Sequence, residues 1–195
     1  MSATTSGVDA GRSPLIKLYF VRGVLAVAWA VAFAGAYKDH ESLSGAAVTL
    51  LVAYPLLDAV SSVFDHRWGP QGAERRVTAF NGVLSTLAAI TVGIGGGVSG
   101  AAAALSGFGA WAVVSGAAQV VVGVRRRGPE LGRQWPMLIA GGLSFVVGAF
   151  YDVQAAGDKP SLSVLAVYAT GGGIFFIVQA ALLAWKARRG TVQPV

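Results

Sequence analysis

The chain has 195 residues, of which 54% are hydrophobic and only 12% are charged, and its formal net charge is +6. A soluble domain usually carries about 25% charged residues, so this composition favours a membrane protein. Cysteine is absent, which excludes disulfides, thiolate metal sites and cysteine nucleophiles. The basic residues flank apolar runs and form no basic, aromatic face, so nucleic acid is not an expected partner.

The first apolar segment follows a short polar stretch. Residues 1–14 are small and polar, and we predict a flexible cytoplasmic tail there. The segment Leu15–Ala36 holds Lys17 and Arg22 and then no charge to its end. As a helix it would reach about 33 Å, enough to cross a bilayer. Residues 32–34 also resemble a signal-peptidase site, so a cleaved signal peptide is the alternative interpretation.

Five further segments resemble the first, and short connections join them. The second contains Pro55, where we expect a kink, and one acid, Asp58. We therefore predict an all-α polytopic membrane protein with six transmembrane helices over residues 15–189 and a flexible tail at 190–195. Spans two to six are predicted at Leu43–Phe64, Val77–Gly96, Ala101–Val124, Trp135–Val153 and Ser161–Trp185.

The distribution of charge in the loops predicts the orientation. Only Lys38 and Lys159 fall on one side of the predicted membrane, against twelve basic residues on the other. The positive-inside rule then places both termini in the cytoplasm, with the basic loops against an anionic lipid surface. The predicted location is the bacterial cytoplasmic (inner) membrane, crossed several times. The twelve residues are Arg12, Lys17, Arg67, Arg75, Arg76, Arg125, Arg126, Arg127, Arg133, Lys186, Arg188 and Arg189.

The six spans repeat as three parallel hairpins. The even spans align on an aromatic residue and the odd spans on a glycine. The aromatic positions, each 57 residues apart, are Tyr54, Trp111 and Tyr168. The glycine positions, 59 and then 60 residues apart, are Gly23, Gly82 and Gly142. Alternating-access carriers are often built from inverted repeats, so three parallel copies lower the expectation of a carrier.

The repeat singles out two opposite charges in the first hairpin. Arg22 precedes the odd-span glycine, and Asp58 follows the even-span aromatic residue by four positions. The equivalent residues are Asn81 and Ser115 in the second hairpin, and Gly141 and Gly172 in the third. Both charges should lie about 10 Å from the cytoplasmic ends of their helices, so we predict that they face each other at matching depth. Two interpretations stay open: an ion pair that locks one hairpin, and a functional pair in which Asp58 is an acid.

Stretches rich in small and aromatic residues recur along nearly all of residues 15–189. They read RGVLAVAWAVAFA, AYPLLDAVSSVFDHR, WAVVSGAAQVVVGVRRR, QWPMLIAGGLSFVVGAFYD and YATGGGIFFIVQAALLAW. This pattern resembles the HdeD-type family of bacterial six-span inner-membrane proteins, a short hairpin-repeat family. The best-known member of that family is linked to acid resistance. The resemblance implies a non-enzymatic membrane protein that serves envelope or acid stress, and it supplies no catalytic residues.

Two other functions stay open. One is a membrane-embedded enzyme on a lipophilic (prenyl) substrate, such as a small membrane-bound terpene cyclase with Asp58 as its acid and Arg22 paired with it. The other is a small pore or carrier. In the enzyme, aromatic rings would stabilise cationic intermediates, although ordinary packing in the bundle also explains such rings. The candidate substrate-binding rings are Tyr19, Trp29, Tyr54 and Trp111.

The sequence predicts no cofactor and no metal site, because the chain has no cysteine and only two histidines. The expected partners are the lipid bilayer and, for the enzyme, a lipophilic small molecule.

Overall fold

The protein is all-α. Its structure, a computed structural model, describes residues 5–37, 43–68, 73–125 and 135–190. Residues 1–4, 38–42, 69–72, 126–134 and 191–195, which include parts of the predicted connections at 37–42, 65–76 and 128–134, lie outside the described residues. The helix α1 begins at Thr5, ahead of the predicted first span. The helices are α1 (Thr5–Ala36), α2 (Gly45–Trp68), α3 (Ala73–Arg125), α4 (Trp135–Ala155) and α5 (Ser163–Gly190).

Each of the five helices contains a stretch that is long and apolar enough to cross a membrane. Only 17% to 28% of each such stretch is buried inside the protein. Large apolar side chains, among them Val83, Val146 and Val167, are therefore exposed along the helices. Helices that face lipid show this pattern, because hydrocarbon takes up the apolar side chains that water would not.

Helix α3 joins two predicted spans, so the structure has five helices where the sequence predicts six. Gly100 interrupts α3 with φ 79° and ψ −158°, outside the helical region. A Cβ built on Gly107 would lie 3.0 Å from Cγ2 of Val92, and one on Gly95 3.3 Å from Cβ of Ala103. In a continuous helix residues 92 and 107 would be about 22 Å apart. The chain therefore reverses at Gly100, and α3 consists of a first arm (residues 73–99) and an antiparallel second arm (residues 101–125).

A single glycine makes this reversal without a polar loop. Gly100 is the one described glycine with positive φ, a conformation that side chains with a Cβ seldom adopt. The apolar sequence continues on both sides of Gly100. Spans three and four therefore follow each other directly as the two arms of α3, 53 residues in all.

The helices form two compact units. Unit 1 takes in the chain up to Val31 and from Leu165 onward, so it pairs most of α1 with most of α5. Unit 2 is Ala32–Val164 and contains α2, both arms of α3 and α4. Leu51, Val92, Leu105 and Tyr151 are among its fully buried side chains.

The hairpin turns of unit 2 meet at one end. The backbone N–H of Leu162, just before α5, donates to the hydroxyl of Tyr37 at the end of α1, at 3.2 Å. Leu43, just before α2, lies 3.5 Å from the Cβ position of Gly96, close to the reversal at Gly100. Ser44 caps α2, because its Oγ accepts from the N–H of Ala47 at 3.1 Å. The end of α1, the start of α2, the reversal of α3 and the start of α5 therefore lie at the same end of unit 2.

Glycines allow close crossings between helices. A Cβ on Gly116, in the second arm, would lie 2.5 Å from the carbonyl oxygen of Gly141 in α4. One on Gly148 would lie 2.7 Å from the carbonyl oxygen of Gly109. In unit 1, a Cβ on Gly23 would lie 2.7 Å from the carbonyl oxygen of Gly173. Small residues at such crossings let backbones approach in a setting where water does not drive helices together.

Hydroxyl groups inside the apolar helices bond to their own backbone. The side chains of Thr49, Thr86, Thr91 and Thr170 each donate to the carbonyl oxygen four residues earlier, at 2.8 Å. Each hydroxyl donor is satisfied within its own helix, so it needs no water.

Candidate functional site

Asp58 is the centre of a polar network between α2 and the first arm of α3. Its Oδ2 accepts a hydrogen bond from Nδ2 of Asn81 at 2.6 Å and another from Oγ of Ser85 at 2.7 Å. Asn81 and Ser85 are four residues apart, so both side chains lie on the same face of the first arm. Two helices are therefore joined through a single carboxylate oxygen that acts as acceptor in both bonds.

The network extends to both sides of Asp58. Nδ2 of Asn81 also donates to Oγ of Ser62, one turn further along α2, at 2.9 Å. On the other side, Nε1 of Trp111 donates to Oγ of Ser85 at 3.1 Å. Ser85 is fully buried and Ser62 is 4% exposed, so the network is closed to solvent at these two hydroxyls. The hydrogen bonds connect α2 and both arms of α3, and they satisfy polar groups that would be costly to bury alone.

Three aromatic rings pack together beside the network. The ring centroids of Tyr54 and Trp111 are 6.1 Å apart at an interplanar angle of 85°. Phe108 lies 5.8 Å from Trp111 and 6.3 Å from Tyr54. The two contacts of Trp111 are edge-to-face, a favoured geometry for aromatic pairs that is worth about 0.5–1.5 kcal/mol beyond burial. Tyr54 precedes Asp58 by one helical turn, so α2 places the ring and the carboxylate on one face.

The other candidate residues lie in unit 1. The guanidinium carbon of Arg22 lies 4.9 Å from the ring centroid of Phe176 in α5, a cation–π contact. Tyr19 packs on the same ring at 5.8 Å. Trp29 is buried, with 5% of its surface exposed. Arg22 is therefore held against α5 by an aromatic surface that Tyr19 shares.

The structure thus assembles part of the predicted site. It brings Asp58, Tyr54 and Trp111 together in unit 2, and it brings Arg22 and Tyr19 together in unit 1. The predicted pairing of Arg22 with Asp58 joins residues of different units and stays a prediction. The substrate-binding role of the four rings also stays a prediction.

Sequence reasoning missed several partners. Ser85 and Phe108 were not expected at the site, and Asn81 was expected only as the counterpart of Arg22. The spacing of Asn81 and Ser85, one helical turn apart in an apolar span, is the signal that could have found them. A second acid, Asp152 in α4, accepts from Oγ of Ser106 at 3.3 Å and was not singled out either.

Within the described ranges, no group of three or more histidine, aspartate or glutamate residues is placed to hold a metal ion. Comparison of the chain with protein-family models, with curated proteins and with solved structures found no match.

Proposed function

We propose that this chain is a bacterial inner-membrane protein that crosses the bilayer six times, with both termini in the cytoplasm. The apolar stretch of α3 is 51 residues long, and as a straight helix it would reach about 77 Å, more than twice the roughly 30 Å of a hydrocarbon core. The reversal at Gly100 divides that stretch into two arms of span length. The three hairpin turns at one end of unit 2 support the same topology, because turns on one side of a membrane must lie together.

The close crossings support the repeat of three hairpins. Gly23 meets Gly173, and Gly141 meets Gly116. The Cβ position of Gly82 lies 3.3 Å from Cβ of Ser62 and 4.0 Å from the carbonyl oxygen of Ala59. The odd-span positions 23, 82 and 141 are each 59 residues apart, and the even-span positions 59, 116 and 173 are each 57 apart. The first and third hairpins thus use the same repeat positions in a close crossing, and the second has the looser contact of Gly82 with Ala59 at these positions. A Cβ on Gly142 meets nothing within 4 Å, so we move the third glycine of the repeat from Gly142 to Gly141.

The same register relates the polar contacts of the two units. Asn81 precedes its repeat glycine and bonds Ser62, eight positions after Tyr54. Arg22 precedes Gly23 and contacts Phe176, eight positions after Tyr168. Equivalent residues therefore contact equivalent positions, which favours an origin of the fold in one repeated hairpin.

For the function, we favour a non-enzymatic protein of HdeD type that serves envelope or acid stress. The observation that carries this choice is the arrangement at Asp58. Both bonds to its Oδ2 come from protein donors, whereas an acid catalyst must present an O–H to its substrate. A carboxylate of α2 that accepts two bonds from the first arm of α3 stabilises the packing of these two helices.

An enzyme on a lipophilic prenyl substrate is the second candidate. The cluster of Tyr54, Phe108 and Trp111 beside Asp58 favours it, because aromatic faces stabilise cationic intermediates. In that case Asp58 would give its proton to the substrate and the rings would surround the resulting cation. The three rings also contact one another, so packing of the helices explains the cluster as well as a binding surface does.

The two candidates differ in what Asp58→Asn does in cells. We expect a strain that lacks the gene to survive acid poorly, and both the wild-type gene and Asp58→Asn to restore survival when their membrane levels are equal. Mass spectrometry of lipophilic extracts from the same strains is the second readout. A prenyl-derived product that only the wild-type protein forms would favour the enzyme and contradict the non-enzymatic proposal.

A further inference from the structure

A groove runs between α2 and the first arm of α3, on the side that carries exposed apolar residues. Its volume is 590 Å³, within the range of about 300–1,000 Å³ that is typical of small-molecule sites. Most of its lining is aliphatic and outward-facing, so the groove opens to the surroundings of the helices. The aliphatic residues include Leu56, Val60, Val63, Val83 and Leu87.

The polar groups along the groove already have partners inside the protein. Oγ of Ser62 accepts from Asn81 at 2.9 Å, and Oγ1 of Thr86 donates to the carbonyl oxygen of Gly82 at 2.8 Å. An occupant of this part of the groove therefore meets apolar surface and satisfied hydroxyls. Such a surface accepts a hydrocarbon chain without the loss of a hydrogen bond.

One end of the groove is basic. His66 and Arg67 line it just beyond Phe64, where the apolar stretch of α2 ends. Nδ1 of His66 lies 3.1 Å from the carbonyl oxygen of Arg75, and Nε of Arg75 donates to Nε2 of His66 at 3.0 Å. Both ring nitrogens of His66 are thus engaged by Arg75. The exposed guanidinium of Arg67 supplies positive charge at the level where a span leaves the hydrocarbon.

We infer that this groove binds one anionic phospholipid of the surrounding bilayer. The acyl chain lies along the aliphatic lining, and the phosphate binds Arg67 at the basic end. Charge complementarity selects the occupant, because a long apolar groove with a cation at its membrane–water boundary matches a lipid tail with an anionic head. This proposal rests on the proposed membrane location.

The test is native mass spectrometry of the purified full chain in detergent with equal amounts of phosphatidylglycerol and phosphatidylcholine. We expect one retained phosphatidylglycerol in preference to phosphatidylcholine. Arg67→Gln should lower that preference roughly fivefold, since a basic residue near a membrane surface contributes about 1 kcal/mol to binding an anionic lipid. Arg125→Gln, which makes the same change of charge away from the groove, should leave the preference unchanged.

A second pair of variants tests the apolar part. Ala79 lines the groove and is exposed, so Ala79→Phe should fill the groove and lower retention of both lipids. Ala149→Phe makes the same change on an exposed position of α4 and should have no effect. Equal loss in Arg67→Gln and Arg125→Gln, or full retention in Ala79→Phe, would overturn the site. Carbonate washing of cell membranes distinguishes failure of the lipid site from failure of the proposed membrane location. Wild-type protein released by the wash contradicts the membrane location itself.

Discussion

The side-chain amide of Asn81 donates to Oδ2 of Asp58 across 2.6 Å, and this bond joins the first arm of α3 to α2. Ser85 donates to the same oxygen from one turn further along. Through these two bonds, the one acid in the apolar stretch of α2 links this helix to the first arm of α3. The loss of stability when these two bonds are removed shows whether Asp58 has a structural role, and this loss can be measured.

Asp58→Asn should lower the free energy of unfolding by about 1–2 kcal/mol, because bonds to a charged group contribute about 1.5–3 kcal/mol and neutral bonds about 0.5–1.5 kcal/mol. Reversible denaturation in mixed detergent micelles measures the change. Ser61→Ala is the matched control on the same helix, since Ser61 bonds only the carbonyl oxygen of Leu57 among the contacts described for it. An Asp58→Asn variant as stable as the wild type would show that the two bonds to Asp58 contribute nothing.

The effects of Ser85→Ala and Asp58→Asn on the free energy of unfolding should not be additive. Ser85 both donates to Asp58 and accepts from Trp111, so removing either end weakens the same network. We expect the double variant to differ from the sum of the single effects by about 0.5 kcal/mol or more. Ser115→Ala is the control, because the hydroxyl of Ser115 bonds the backbone carbonyl oxygen of Trp111. Its effect on the free energy of unfolding should add to that of Asp58→Asn without coupling. Strict additivity of the Ser85 pair would contradict the network.

Gly141→Ala and Gly142→Ala compare two neighbouring glycines in one helix. A Cβ on Gly141 would lie 2.8 Å from Cβ of Gln119 and from the carbonyl oxygen of Gly116, whereas one on Gly142 meets nothing within 4 Å. We expect Gly141→Ala to destabilise by about 1–3 kcal/mol through overpacking. Gly142→Ala should be neutral or stabilise by about 0.5–1 kcal/mol, because alanine favours the helix. The opposite order of the two variants would return the repeat glycine to position 142.

The sequence predicted the helical class, because long apolar segments without charge leave few alternatives to helices. It also predicted Tyr54, Asp58 and Trp111 as candidate site residues. It could not predict that Asn81 and Ser85 bond Asp58, since their register depends on how two helices slide against each other. The predicted spans, which end at Gly96 and begin again at Ala101, place a turn around residues 98–100, and the backbone of α3 is interrupted there at Gly100. The sequence could not predict which glycine takes the positive φ, because the preceding glycines of the same stretch have the same conformational freedom.

If Arg22 faces Asp58, replacing one charge should cost more than replacing both. Arg22→Asn and Asp58→Ser each remove one charge of the predicted pair, whereas the two together copy the neutral pair of the second hairpin. We expect the double variant to recover most of the lost stability, measured by denaturation in micelles. If the two single effects simply add, the residues do not interact and the predicted pair is wrong.

The topology gives a decisive measurement, because the chain has no cysteine and a single introduced thiol is the only one present. Val98 is 83% exposed beside the reversal at Gly100. Val98→Cys is treated in intact cells with a thiol reagent that cannot cross the inner membrane, and Ser2→Cys serves as the cytoplasmic control. Six crossings predict that residue 98 is labelled before lysis and residue 2 only after it. Labelling of residue 98 only after lysis would contradict the proposed fold in the membrane.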